Sequence, residues 1–180
     1  LQSTLEWFGV RQIATITHSL GKLKISDERF FNEIVKLSKR IAKEGEPQHL
    51  SNIVWACATV GFESAELFKA VAGQHKRIAG RGDVQHMSNI CWAFAKLGYK
   101  AAELFEAVAG QHKLIAGRGD VQHMSNICSA FAKAGHKAEA LFGAVAAQYG
   151  RITASGNVQE LSNICWAFAT IGHEAKALFK

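Results

Sequence analysis

Apolar residues recur along this chain at helical spacing and almost nowhere at strand spacing. In residues 84–97, "VQHMSNICWAFAKL", the series Met87, Ile90, Cys91, Phe94 and Leu97 follows i, i+3, i+4, i+7, which marks an amphipathic helix. Asp83 precedes it as an N-cap candidate, and Gly98 follows it as a stop. A second stripe, Ala101, Leu104, Phe105, Val108, His112 and Ile115, predicts a second helix beyond a short turn. No period-two alternation survives for more than a few residues, so the pattern predicts helices alone.

This pair of stripes is repeated. Residues 47–60, "PQHLSNIVWACATV", 121–134, "VQHMSNICSAFAKA", and 158–171, "VQELSNICWAFATI", align with 84–97 at a constant spacing of 37. Gly61, Gly98, Gly135 and Gly172 follow the four copies. Pro47 falls at a first helical position, where proline is best tolerated. The thirteen residues "AGRGDVQHMSNIC" occur letter for letter at 79–91 and at 116–128, as the joint between consecutive units. The Arg-Gly-Asp within them has a local explanation, a glycine for the turn and an aspartate to cap the next helix, and carries no adhesion reading.

A divergent copy fits 7–46 when Ile13 is set against Ile53, Gly21 against Gly61, Phe31 against Phe68 and Arg40 against Arg77, with three extra residues in "KLKISDE". The units are therefore 7–46 (divergent), 47–83, 84–120, 121–157 and 158–180 (truncated). One helix pair cannot bury its own apolar face, whereas stacked copies share a continuous core. The expected fold is all-α. It is an α-solenoid of tandem helix–turn–helix repeats of about 37 residues, one solenoid over 1–180, coiled as a right-handed superhelix.

The polar residues of the first helix are concentrated. On a wheel at about 100° per residue, Gln85, Ser88, Asn89, Trp92 and Lys96 share one arc, and the remaining circumference is apolar or alanine. The same arc holds Gln48, Ser51, Asn52, Trp55 and Thr59; then Gln122, Ser125, Asn126, Ser129 and Lys133; then Gln159, Ser162, Asn163, Trp166 and Thr170. First helices of stacked pairs line the concave face, so this arc is expected to form a groove. Amides, hydroxyls, an indole and an ammonium are the groups that read and stack on unpaired bases. The candidate base contacts are Gln48, Asn52, Trp55, Gln85, Asn89, Trp92, Lys96, Gln122, Asn126, Ser129, Lys133, Gln159, Asn163 and Trp166. The competing expectation is that the tryptophan and the Ser-Asn pair pack between neighbouring units.

Charge strengthens the nucleic-acid reading. The formal net charge is +6 and the pI near 9.3, which favours a polyanionic partner. Arg81 and Arg118 stand beside glycines just before a helix start, where a guanidinium and free backbone N–H groups can hold phosphate; Arg40 and Lys43 are the further phosphate candidates.

Other chemistries find no footing. Cys57, Cys91, Cys128 and Cys165 form no close pair, so neither zinc nor a disulfide framework is expected, and free thiols suit a reducing intracellular compartment. His49, His86 and His123 recur but Glu160 ends the series; His75 and His112 lie on an apolar face, giving way to Tyr149. Packed, hydrogen-bonded rings are the expected role. With no nucleophile–base pair and no phosphate loop, neither an enzyme nor a cofactor, metal or small-molecule substrate is expected. No apolar run approaches the length that spans a bilayer, so no membrane partner is expected. Without an initiator Met, and ending in mid-pattern, the chain is expected to be an internal piece with repeats or domains beyond it.

The stretch "SNIxWAxAxxG" with "LF" some residues later, carried by Ser51-Asn52-Ile53 with Trp55-Ala56, Ser88-Asn89-Ile90 with Trp92-Ala93, and Ser162-Asn163-Ile164 with Trp166-Ala167, resembles the octotricopeptide and heptatricopeptide repeats. The resemblance implies an α-solenoid that binds single-stranded RNA in mitochondria or chloroplasts and supports its stability, processing or translation. It also implies a RAP-type domain beyond these residues. The 37-residue length suits the heptatricopeptide form better, since the octotricopeptide form carries a proline-rich stretch and this chain has a single proline. The expected function is sequence-selective binding of single-stranded RNA, about one nucleotide per repeat. The alternatives are a solenoid that captures protein or peptide, and a repeat array that binds DNA.

Overall fold

The structure, a computed structural model, describes residues 4–175, and the end of the truncated unit, 176–180, lies outside the described residues. A short 3-10 turn at Thr4–Trp7 leads into thirteen helices. Those opening the units are α1 (Val10–Leu23), α4 (Pro47–Val60), α7 (Val84–Lys96), α10 (Val121–Ala134) and α13 (Val158–Ile171). Between them lie α2 (Glu28–Lys36), α3 (Ser38–Glu44), α5 (Ala65–Ala72), α6 (His75–Arg81), α8 (Ala102–Ala109), α9 (His112–Arg118), α11 (Glu139–Ala146) and α12 (Tyr149–Ser155). The architecture is the expected helical-repeat solenoid. The opening helices stack side by side as one layer, α1 on α4, α4 on α7, α7 on α10 and α10 on α13. In the second layer α3 meets α5, α6 meets α8, and α9 meets α11.

The second segment of each of the first four units, expected as one helix, is two. The break falls at Gly73-Gln74, Gly110-Gln111 and Ala147-Gln148, and at Leu37 in the first unit. The dihedrals there stay close to helical, φ −60° and ψ −12° at Gly73, then φ −96° and ψ 16° at Gln74, so the chain bends without a left-handed residue. Bending lets the two halves face different neighbours: α5 receives α3 of the preceding unit, and α6 receives α8 of the next.

The first unit also differs from its sequence alignment. Helix α1 begins and ends 37 residues before α4, and its left-handed C-cap, Lys24 at φ 56°, precedes Gly61 at φ 76° by the same 37. No insertion exists. Ile13 therefore pairs with Leu50, Gly21 with Ala58 and His18 with Trp55. Lys24 holds a conformation that costs an L-residue roughly 1–2 kcal/mol, and Gly61, Gly98, Gly135 and Gly172 adopt it freely. Gly82 and Gly119 have a different reason to be glycine. Their φ values of −74° and −70° suit any residue, but a Cβ would lie 2.4 Å from the Ile78 carbonyl oxygen and 2.6 Å from that of Ile115.

Phe31, Phe68, Phe105 and Phe142 form a buried row at 37-residue spacing, and each meets an aromatic ring of the next unit. Phe68 lies 4.8 Å from Phe94 and 4.4 Å from Tyr99 between ring centroids; Phe105 lies 4.9 Å from Phe131, and Phe142 5.0 Å from Phe168. In the first unit Phe31 stacks on Phe62 at 5.0 Å, because Cys57 occupies the place of the second phenylalanine. Cys57, Cys91 and Cys128 are buried free thiols, and burial pushes each up to about 12.

Arginines seal the joints from the other side. Arg77 donates from Nη1 to the Lys43 carbonyl at 3.0 Å and from Nη2 to the carbonyls of Gly45, at 2.8 Å, and Ala42, closing the end of α3. Arg151 donates to the Ala116 carbonyl at the end of α9, with Met124 Sδ at 3.8 Å. Arg40 holds the carbonyls of Glu6 and Phe8, both at 2.8 Å. The corresponding residue of the third unit is Leu114, and an open cleft of about 480 Å³ lies beside it, lined also by Arg81, Gly82 and Arg118. Leu114→Arg is expected to raise stability in urea unfolding by roughly 1–2 kcal/mol, the scale of charge-assisted hydrogen bonds in a partly exposed site. Arg77→Leu is expected to lower it by a similar or larger amount.

Candidate nucleic-acid interface

The opening helices carry a polar stripe at i, i+4, i+7 and i+11, a spacing that keeps all members on one side of each helix. Gln48, Gln85, Gln122 and Gln159 are exposed in the first turns, and Asn52, Asn89, Asn126 and Asn163 are half-buried one turn on. Next come Trp55, Trp92 and Ser129, half-buried, and Trp166, exposed; Thr59 is half-buried, and Lys96, Lys133 and Thr170 are exposed. The serines expected beside them are separate. Ser51, Ser88 and Ser125 are fully buried, and Ser51 Oγ donates to the Gln48 carbonyl at 3.0 Å. Among the described residues, Ser88 and Ser125 have no hydrogen-bond partner for their hydroxyls. Their value is small size. Adjacent opening helices approach so closely that a Cβ on Gly21 would lie 2.8 Å from that of Ala56.

Within the stripe, the His18 and Trp55 rings lie 5.0 Å apart, and Lys96 Nζ sits 4.8 Å from the Trp92 ring centroid. Burial lowers the His18 pKa below its ordinary value, with Lys22 adding to the effect. Gln159 Nε2 donates to Asn163 Oδ1 at 2.9 Å. Trp92, Asn126, Ser129, Lys133, Asn163 and Trp166, from three successive opening helices, line one cleft of about 200 Å³. Sequence reasoning missed His18 because the gapped alignment set it against Ala58; the 37-residue spacing from Phe31 to Phe68, continued backwards, finds it.

The arginine candidates divide. Arg81 and Arg118 are exposed last residues of α6 and α9 and line the joint cleft together, beside Gln85 and His123. Arg40 and Lys43 are not among its lining residues. The Arg40 guanidinium is engaged by the Glu6 and Phe8 carbonyls and by Glu44 Oε2 at 3.2 Å, while Lys43 is exposed at the end of α3.

The free amides expected at the helix starts are partly taken. Asp83 and Asp120 accept from the His86 and His123 amides at 2.9 and 2.7 Å, and the Nδ1 atoms of those histidines accept from the Asp83 and Asp120 amides at 3.3 Å. The Glu46 amide donates to His49 Nδ1 at 3.2 Å, and in the fifth unit Asn157 and Glu160 complete the same box. This explains the break in the histidine series: imidazole nitrogen and carboxylate are interchangeable acceptors at that position. Among the described residues, no group of three His, Cys, Asp or Glu could hold a metal ion, and no helix is long and apolar enough to cross a membrane.

Fold and stripe together define a class, the helical-repeat solenoids that present a periodic polar face to an extended ligand. Over residues 2–180 the chain matches RESC6, the RNA-editing substrate-binding complex 6 protein, and it belongs to that family. No curated protein matches it. The family match overturns the resemblance to octotricopeptide and heptatricopeptide repeats. In this fold the small residues of the "SNIxWAxAxxG" pattern lie where opening helices touch, and its glycine lies where they end.

The boxes give a pH dependence. Burial pushes His86 below its ordinary value of 6.5, against Asp83, which raises it, and with His49, which lowers it further. The fold thus favours the neutral ring that accepts the Asp83 amide. Above 6.5 that stabilisation is fully present. As pH falls below 6.5 the unfolded chain protonates first and stability declines, until the pH has passed the lowered folded value. Thermal melts are expected to shift down between about pH 7.5 and about pH 5, and less so in His86→Gln, which keeps an acceptor and cannot titrate.

Proposed function

We propose that this chain binds single-stranded RNA along the stripe of α4, α7, α10 and α13, about one nucleotide per repeat, within a mitochondrial RNA-editing assembly. The observation that carries the reading is the cleft shared by three successive units, where two indoles, two amides, a hydroxyl and an ammonium converge. Those groups match an unpaired base, with its π face and its donor and acceptor edges. The base-contacting set is Gln48, Asn52, Trp55, Gln85, Asn89, Trp92, Lys96, Gln122, Asn126, Ser129, Lys133, Gln159, Asn163 and Trp166.

Arg81 and Arg118 supply phosphate contacts where the stripe meets the joint, by their guanidinium groups. The net charge of +6 draws the polyanion to this surface. Arg40 is assigned to structure, since its donors hold backbone carbonyls. Lys43 is an outlying charge that adds to the general attraction. The family's description, RNA-editing substrate-binding complex 6 protein, fits this reading.

Gel-shift measurements with single-stranded RNA, single-stranded DNA and duplex of matched length test the proposal. Single-stranded RNA is expected to bind best, with affinity falling steeply as salt rises. Trp92→Ala should cost roughly 1–3 kcal/mol of binding, the scale of one base–aromatic stack. Arg81→Ala and Arg118→Ala should weaken all sequences alike and each reduce the salt slope by about one. Absence of RNA binding at low salt would refute it, and preference for duplex would replace it with the DNA reading.

A further inference from the structure

The row His18, Trp55, Trp92, Ser129 and Trp166 places a ring at every unit but the fourth. The first two members are in ring contact, His18 with Trp55 at 5.0 Å. At Ser129 the row is interrupted, and the cleft of about 200 Å³ opens there, between Trp92 of the preceding unit and Trp166 of the following one. The Ser129 hydroxyl oxygen is screened from solvent and has no hydrogen-bond partner among the described residues. Asn126 and Asn163 add amide donors and acceptors, and Lys133 adds an ammonium. The volume is below the roughly 300–1,000 Å³ of pockets that enclose whole cofactors or drug-sized ligands. It suits one flat heterocycle.

We infer that the cleft at Ser129 is a receptor for a single nucleobase, which inserts where the other units carry their own ring. The inference rests on the RNA-binding reading above and deepens it, assigning one base a position unlike the rest. The inserted base contacts the indoles of Trp92 and Trp166, and its polar edge pairs with the amides of Asn126 and Asn163. The Lys133 ammonium lies beside it, where the following phosphate or a base carbonyl is met. Elsewhere in the row the protein's ring fills the place, so bases there lie against the stripe and not within it.

The test compares two probes of equal charge: fluorescein-labelled 12-mer RNA of random sequence, and a 12-mer of abasic sugar-phosphate. Ser129→Trp installs the residue that three other units use, so it is expected to fold, as circular dichroism and thermal melts check. The wild-type chain is expected to bind the RNA at least about tenfold more tightly than the abasic oligomer. Ser129→Trp should shrink that difference severalfold, the share of one base among those held along the stripe. Ser129→Ala, which keeps the cavity open, should retain the stacking advantage. If Ser129→Trp binds RNA with an undiminished advantage, the inference fails while the RNA reading stands. If neither probe binds the wild-type chain, both fall. Should Ser129→Trp not fold, Ser129→Leu, which fills the cleft with a smaller apolar side chain, carries the test: a reduced base-dependent advantage supports the slot, and its retention overturns it.

Discussion

The contact between a phenylalanine of one unit's second layer and the aromatic ring of the next unit's opening helix governs this molecule. Phe68 cannot be buried by its own unit. It needs Phe94 and Tyr99, as Phe105 needs Phe131 and Phe142 needs Phe168. Removing a buried phenylalanine costs roughly 3–5 kcal/mol, more than any single hydrogen bond at the joint. The core therefore exists only between units, and consecutive units must repeat their spacing for the rings to meet. Invariance at 37 residues follows from this demand, and the left-handed residue at 24, 61, 98, 135 and 172 follows in turn, since the chain must reverse at the same point each time. The arginines at 40, 77 and 151 then close what the rings leave open, the carbonyl ends of the preceding helices.

Much of this was legible in the sequence because it is periodic. The helix stripes, the terminal glycines, the aspartate caps and the unit boundaries of the regular copies all follow from residue type at fixed spacing. What was not legible has physical causes. The break within the second segment leaves little mark, because its dihedrals stay near helical and Ala147 serves as well as Gly73 or Gly110. The register of the first unit was misread because Ile13 resembles Ile53 and Gly21 resembles Gly61. Lys24 gives no sign that it takes the left-handed cap, so the alignment borrowed a glycine from within the helix and created an insertion that the fold lacks.

The same logic applies to the candidate interface. Gln, Asn and Trp share a face in sequence and in structure, since helical spacing alone places them. Serine is ambiguous at that resolution: Ser51, Ser88 and Ser125 fall on the polar side of the wheel, yet they are buried because helix contact needs a small side chain more than it needs an apolar one. Arginine is ambiguous too. Arg40 and Arg118 look equally available in the sequence, and only the structure shows one committed to backbone carbonyls and the other free at a cleft. The short repeat signature pointed to another family than the one the chain matches.

A solenoid of like units has a translational symmetry, and that symmetry is a liability for any polymer lying along it. A chain that shifts by one unit meets the same groups in the same places, so no position is preferred and the polymer slides. The joints at 79–91 and 116–128 are identical to the letter and offer no mark at all. Two departures break the arginine and ring rows: Leu114 among the arginines, and Ser129 among the rings. Both fall in the middle of the array, within fifteen residues of one another along the chain. They give an otherwise uniform ruler its origin, and any ligand that senses either one is held in a single phase.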